Sequence, residues 1–205
     1  MAHFLSDIVS LNERFRRSIN IDADANSIEN LEGFICPASS ESALKTIVKN
    51  ISETSESSFT WTGPFGSGKS SLALLLKGLT NPNRRIQDFA ATKLSNQNRD
   101  YIQEFFCTTE GWNELSIIGS LVNPEAAFKK ALGISLKTSI ENTIKKCIEV
   151  SQGSKSGLII YIDEMGKFLE NQSSKNSDIY FFQQLAEAAN RSDGKLILIG
   201  ILHQS

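Results

Sequence analysis

Cysteine is scarce in this sequence of 205 residues, and what there is lies scattered. Cys36, Cys107 and Cys147 are odd in number, far apart and without C-x-x-C spacing, and only His3 and His203 could join them. That argues against a zinc site and fits reduced thiols in the cytosol. No apolar run reaches the roughly 20 residues that cross a membrane, so no membrane partner is expected. The start, Met1-Ala2-His3-Phe4-Leu5-Ser6-Asp7, lacks the cationic segment and apolar core of a signal peptide, and a cytoplasmic location is expected. Net charge is only −2, which gives no bulk attraction to nucleic acid and leaves open a local basic patch. Internal repeats and low-complexity tracts are absent as well. What remains, 40% apolar and 21% charged, is the composition of a soluble globular protein, long enough for one domain with a small appendage.

The rest of the chain is organised around Gly63-Pro64-Phe65-Gly66-Ser67-Gly68-Lys69-Ser70, which reads G-x-x-x-x-G-K-[ST], the phosphate-binding loop of nucleotide triphosphatases. Glycines let the backbone adopt conformations closed to other residues and bring its N–H groups close to a polyanion. Lys69 is a compact cation that can reach the outer phosphates, and the Ser70 hydroxyl can ligate Mg²⁺. Ser71 opens the run Ser71–Lys77, built of helix formers and expected to close on Gly78; the positive end of that helix adds to the anion site. Before the loop, Ser58-Phe59-Thr60-Trp61-Thr62 has the aromatic and β-branched content of a strand.

Elsewhere the apolar spacing of Phe4, Leu5, Ile8, Leu11 and Phe15 predicts an amphipathic helix that packs on its own domain or docks a partner. A polar linker, Ser18 to Glu32, carries a short strand at Ile19–Ile21, and Gly33–Pro37 is a second extended piece. Residues 1–38 thus form an amino-terminal helix and linker, and 39–205 the core. In the core, Ala43, Leu44, Ile47, Val48 and Ile51 mark a helix capped by Ser39-Ser40-Glu41-Ser42. Arg84–Phe106 is mostly helical, with a break around Asn96-Gln97-Asn98 and a basic character from Arg84, Arg85, Lys93 and Arg99. That character reads as a solvated face, or as a phosphate or nucleic-acid contact. Leu115–Val122 reads as a buried strand and Glu125–Leu132 as a short helix. Leu136, Ile140, Ile144, Cys147 and Ile148 line a longer helix, and Ile179, Phe182, Leu185, Ala186 and Ala189 the inner face of another over Asp178–Asn190. Lys195–Leu202 is a buried strand.

Leu158-Ile159-Ile160-Tyr161-Ile162 is an unbroken apolar run that fits a central parallel strand, and it ends in Asp163-Glu164, the Walker B pattern. An acidic residue at the carboxyl end of such a strand faces the crevice where α/β sheets bind ligands. Asp163 would hold Mg²⁺, and Glu164 would orient and deprotonate a water.

With both motifs, residues 39–205 resemble the additional-strand, catalytic-glutamate branch of P-loop NTPases, which includes the AAA+ and STAND ATPases. The resemblance implies an α/β, three-layer fold with a mostly parallel sheet. A strand is inserted between those carrying the two motifs, a place that Leu115–Val122 can fill. It also implies a polar sensor after the next strand, for which His203 leads over Gln204 and Ser205. Relatives carry five strands in the order 5-1-4-3-2, followed by a helical lid. Only four strands are read here, from Ser58, Leu115, Leu158 and Leu196, so the chain is expected to be the amino-terminal part of a larger ATPase or a truncated product. The wording Ile162–Glu170 and Gln183–Ala189 resembles ATPase subunits of prokaryotic anti-phage and restriction-linked systems.

The expected function is Mg²⁺-dependent ATP binding and hydrolysis. Lys69 and Glu164 would be the catalytic residues, Gly63 to Ser71 with His203 would bind nucleotide, and Ser70 and Asp163 would hold the metal. The alternative is a regulatory nucleotide-binding module with little turnover inside a larger assembly, and relatives' ring-like multimers make homo-oligomers or partner subunits the expected company. A small-molecule phosphotransferase would need an arginine-rich lid, for which Arg84 and Arg85 are the close pair. GTP is disfavoured because Asn190-Arg191-Ser192-Asp193 is a poor match to Asn-Lys-x-Asp and precedes a strand.

Overall fold

Four short strands, the two central ones buried almost throughout, form one sheet with helices on both faces. The structure, a computed structural model, describes residues 21, 28–119, 123–153, 155–171 and 176–203. The strands are β1 (Ser58–Gly63), β2 (Asn113–Ile118), β3 (Leu158–Asp163) and β4 (Leu196–His203). They run in the order β1-β4-β3-β2, and every pairing is parallel. Parallel neighbours need long crossovers, and here helices supply them. One face carries α1 (Ile28–Glu32), α2 (Ala38–Thr54), α3 (Lys69–Thr80), α4 (Arg84–Ala91) and α5 (Asn96–Phe106). Their apolar side chains join Trp61, Ile159, Tyr161, Ile197, Ile199 and Ile201 in a first core. The other face carries α6 (Pro124–Ala131), α7 (Ile140–Ser151), α8 (Met165–Asn171) and α9 (Asn176–Asn190), packed on Ile117, Leu158, Ile160, Ile162, Leu196 and Leu198. Consecutive residues of β3 therefore serve opposite cores, the reason for its unbroken apolar run. The architecture is α/β in three layers.

Several expectations are corrected. In chain order β2 falls between the strands that carry the two motifs, but in space β4 lies between them and β2 is an edge. Leu115 is accordingly only half-buried and Ile118 is 55% exposed, so the strand is shorter and wetter than expected. Gly78 does not end its helix. It sits inside α3, where an added Cβ would lie 2.9 Å from both Ala90 Cβ and Leu31 Cδ1, so its lack of a side chain lets α1 and α4 pack against α3. The linker before Glu32 contains α1, whose Leu31 is buried, and Ile21, expected in a strand, is a buried turn residue. Phe34 joins no strand of the described sheet. Asn96–Asn98 open α5 rather than break a helix, and the break falls at Thr92–Ser95. Leu136 lies outside α7 and is exposed. Ile179 is exposed on α9, and Phe181 takes the inner position instead, edge-on to Phe128 at 4.9 Å. The Phe4–Phe15 helix, Ile19-Asn20, Gln204 and Ser205 lie outside the described residues.

One buried carboxylate is well partnered where two helices meet. The buried Glu41 carboxylate of α2 accepts from the Ser95 amide at 2.9 Å and the Ser95 hydroxyl at 2.7 Å, which ties α2 to the start of α5. Pro37 rather than a serine stands at the N-cap of α2, which has no side-chain cap.

Candidate phosphate-binding site at the carboxyl ends of the strands

β1 ends in Gly63 and α3 begins at Lys69, so the loop between them crosses the carboxyl edge of the sheet. Gly66 (φ 75°) and Gly68 (φ 86°) take left-handed backbone with no atom near a would-be Cβ, so conformation and not crowding requires glycine there. At Gly63 a Cβ would come to 3.0 Å from Ser67 Oγ, so that hydroxyl would have to shift by a few tenths of an ångström. Gly68 caps α3 without a side-chain bond, which leaves first-turn amides of the helix directed at the loop. The Lys69 ammonium folds back under the loop. It donates to Gly63 O at 2.7 Å, Pro64 O at 2.8 Å and Ser67 Oγ at 3.2 Å, and the residue is only 8% exposed. Burial lowers its pKa from the ordinary lysine value, and the carboxylate of Asp163 acts against that shift.

Register brings the other residues alongside. Gly63 pairs with His203 across β1 and β4, and Ile162 pairs with Gly200 across β3 and β4. The tips of β1 and β3 flank that of β4, about 10 Å apart at two strand spacings. Asp163, half-buried, has its pKa raised mainly by desolvation. Its bond from the Glu164 amide at 2.9 Å lowers it, the Glu164 carboxylate raises it, and His203 and Lys69 lower it. Lys69, His203 and Asp163 thus share one electrostatic neighbourhood.

His203 stacks on Phe65 with ring centroids 4.1 Å apart and planes within 4°, although Phe65 is 75% exposed. Its Nδ1 is buried with no hydrogen-bond partner among the described residues, which leaves that nitrogen available at the carboxyl edge. Ser70 and Ser71 lie half-buried in the first turn of α3. Glu164 takes a left-handed φ of 52°, and its carboxylate pairs with Lys167 of α8 rather than with the loop. That pair is partly exposed, worth no more than about 1 kcal/mol, and parts at little cost.

Beside the loop a cleft of about 420 Å³ runs between the start of α2 (Ser39, Ser40, Ala43), β1 (Thr60, Trp61, Thr62), Lys69 and Leu72. Its size is that of a small-ligand site. The sequence offered no signal for the part that Ser39, Ser40 and Trp61 play, because only the sheet and α2 together bring them to the loop. The same holds for Gly119, just beyond β2, whose amide donates to Asp163 O at 2.7 Å.

Three of the four basic residues between Arg84 and Arg99 are engaged elsewhere. Arg99 donates to Ala91 O and Leu94 O at the end of α4, Lys93 to Glu32 O, and Arg84 pairs with Asp88. Asn190, the first residue of the poor guanine match, ends α9, and its Oδ1 accepts from the Ser57 amide at the opposite end of β1. It cannot read a base at the loop.

No protein-family model, no curated protein and no solved structure matches the chain.

Hard oxygen donors on Ser70 and Asp163 suit Mg²⁺, which keeps several waters and takes one or two carboxylates together with substrate phosphates. Among the described residues no three His, Cys, Asp or Glu side chains gather where they could hold a metal ion by themselves. The raised pKa of Asp163 has a measurable consequence. A carboxyl group whose folded pKa exceeds its unfolded value contributes stability that is full below the unfolded pKa and lost as pH rises through the folded one. Acidification should therefore stabilise the fold through this group, beginning at a pH above the usual aspartate value of about 3.9. Melting curves recorded from pH 4 to 8 check the slope, and Asp163→Asn should flatten it.

Proposed function

We propose that the chain is a Mg²⁺-dependent P-loop ATPase in which hydrolysis drives a conformational change. The observation that carries the reading is that Lys69, folded into a glycine loop at a helix N-terminus, and Asp163 at the tip of β3 lie on either side of a single intervening strand, near enough for their charges to act on each other. A lone glycine turn would not need an acidic strand tip opposite it. The order β1-β4-β3-β2 also fits four of the five strands of the additional-strand branch to which AAA+ and STAND ATPases belong, and β4 is the added strand.

In this reading Lys69 and the amides of Gly66 to Ser71 stabilise charge on the β- and γ-phosphates. Ser70 and Asp163 would hold Mg²⁺, which when bound neutralises phosphate charge and aligns the outer phosphates. Glu164, once it leaves Lys167, orients a water and accepts its proton. His203, its ring stacked on Phe65, would be the polar group that senses the γ-phosphate. The nucleoside would extend toward the cleft beside β1. ATP is taken by elimination of GTP, with no adenine signature behind it.

The test is Glu164→Gln. It should leave ATP affinity within a few-fold of the parent and cut phosphate release by about 100-fold or more, as loss of a general base does. Parent protein that binds ATP but releases no phosphate above background would replace the ATPase with a regulatory nucleotide-binding module, whose bound state controls assembly.

A further inference from the structure

We propose that Gly119 is a positioning residue for the Asp163–Glu164 turn, an inference that rests on the function proposed above. Gly119 follows β2 and is buried. An added Cβ there would lie 2.0 Å from the Glu164 carbonyl oxygen, 2.7 Å from its carbonyl carbon and 3.1 Å from Asp163 O. Real Cβ atoms do not approach backbone to 2.0 Å, and neither neighbour is a side chain that could swing aside. Gly119 is not in the left-handed region, so backbone freedom is not why glycine stands there; room is. The room is used by one feature. Glu164 adopts φ 52°, a conformation that costs a non-glycine residue of order 1 kcal/mol, and turns its carbonyl into the space beside Gly119. Meanwhile the Gly119 amide donates to Asp163 O at 2.7 Å and Lys167 N donates to Glu164 O at 2.9 Å. The two carboxylates are therefore aimed by contacts to their own backbone, made from the neighbouring strand and from α8.

On the other side of β3, Gly200 of β4 plays a softer part, since a Cβ there would meet Met165 Sδ at 2.5 Å, a thioether that can change rotamer. Gly119 has no such escape. A methyl group at Gly119 must push the Glu164 peptide away and carry the Asp163 carboxylate with it. The glycine loop, rooted on β1 with β4 and β3 in between, is left in place.

The experiment compares the parent protein, Gly119→Ala and Gly119→Ala/Glu164→Gly. In the double variant a residue free of the left-handed penalty lets the carbonyl at 164 turn away. Binding of a non-hydrolysable ATP analogue is measured in Mg²⁺ and in EDTA, and amide spectra are recorded on the nucleotide-free proteins. In Gly119→Ala the signals of residues 163–166 should move while those of residues 66–70 stay. Affinity in EDTA should be unchanged, and the gain from Mg²⁺ should fall roughly 10–100-fold, as it does when a group supporting a metal ligand is lost. The double variant should recover most of that gain. Equal losses in Mg²⁺ and EDTA, an undiminished Mg²⁺ gain, or no recovery in the double variant overturns the assignment. If Gly119→Ala fails to fold, the double variant must fold and keep the gain, and unfolding of both also overturns it. Parent protein that binds no nucleotide sinks the ATPase reading itself, whereas unmoved signals at 163–166 sink only the role of Gly119.

Discussion

Lys69→Ala is expected to lower the affinity for ATP by about 100-fold or more, since a charge-assisted hydrogen bond contributes about 1.5–3 kcal/mol and the ammonium can offer more than one. Its three acceptors in the structure all belong to the loop: Gly63 O, Pro64 O and Ser67 Oγ. In the proposed function an incoming phosphate would compete for the same ammonium, so the substitution would remove both the counter-charge and the brace that shapes the loop. The fold should survive. α3 is anchored by Leu72, Leu75, Leu76 and Leu79, all buried in the first core, and none of them touches the ammonium's role. Ser67→Ala removes only the longest of the three contacts and should cost no more than about tenfold. Titration calorimetry on both variants, with melting curves as the control for folding, gives the comparison. Equal affinities in parent and Lys69→Ala would mean that the loop holds no phosphate.

The second large effect concerns stability. Lys77 of α3 and Glu114 of β2 form a buried pair at 3.3 Å, and Thr80 Oγ1 donates to the other carboxylate oxygen at 2.7 Å. The ammonium also lies 5.3 Å from the centroid of the buried Tyr161 ring. Desolvation raises the Glu114 pKa from the usual glutamate value, while Lys77 and Thr80 hold it down. Lys77→Met takes away the largest restraint and leaves a largely buried carboxylate without its counter-charge, held by the Thr80 hydroxyl. Breaking such a pair from one side costs about 3 kcal/mol, or about 10 °C in melting temperature for a domain of this size. The sign with pH follows from the raised pKa: the penalty is full above it and shrinks as acidification protonates Glu114. Replacing both, as Lys77→Met/Glu114→Leu, should return stability to near that of the parent, because two buried charges lose their desolvation cost together. Denaturant melts at pH 5 and pH 8 test this. A single variant as stable as the parent at both would show that the pair is solvated.

Neither effect is equally legible in the sequence. The glycine loop, Lys69 and Ser70 could be read directly, because the loop's chemistry is written within eight consecutive residues. The apolar runs before Gly63 and Asp163 are likewise local, since a strand buried on both faces has no choice but to be apolar throughout. Lys77 and Glu114, by contrast, gave no sign of each other. Each reads as an ordinary surface charge until α3 is laid over the sheet. Ile179 and Phe181 show the same limit on a smaller scale. Both are large and apolar, and the helical period alone permits Ile179 beside Phe182, whereas the position of Phe128 on α6 selects Phe181.

Short-range pattern by itself determined that this chain makes parallel strands with helical crossovers, and where a glycine-rich loop and an acidic strand tip fall along it. Tertiary structure alone decided that Lys77 meets Glu114 and that Gly119 and Gly78 are needed for room, and the order β1-β4-β3-β2 was foreseen only through the family resemblance, not from local pattern. The reason is physical. Backbone propensity and side-chain period act over a few residues, so they survive in the sequence. Strand order, crowding at a glycine and the pairing of buried charges depend on segments that meet only when the layers close.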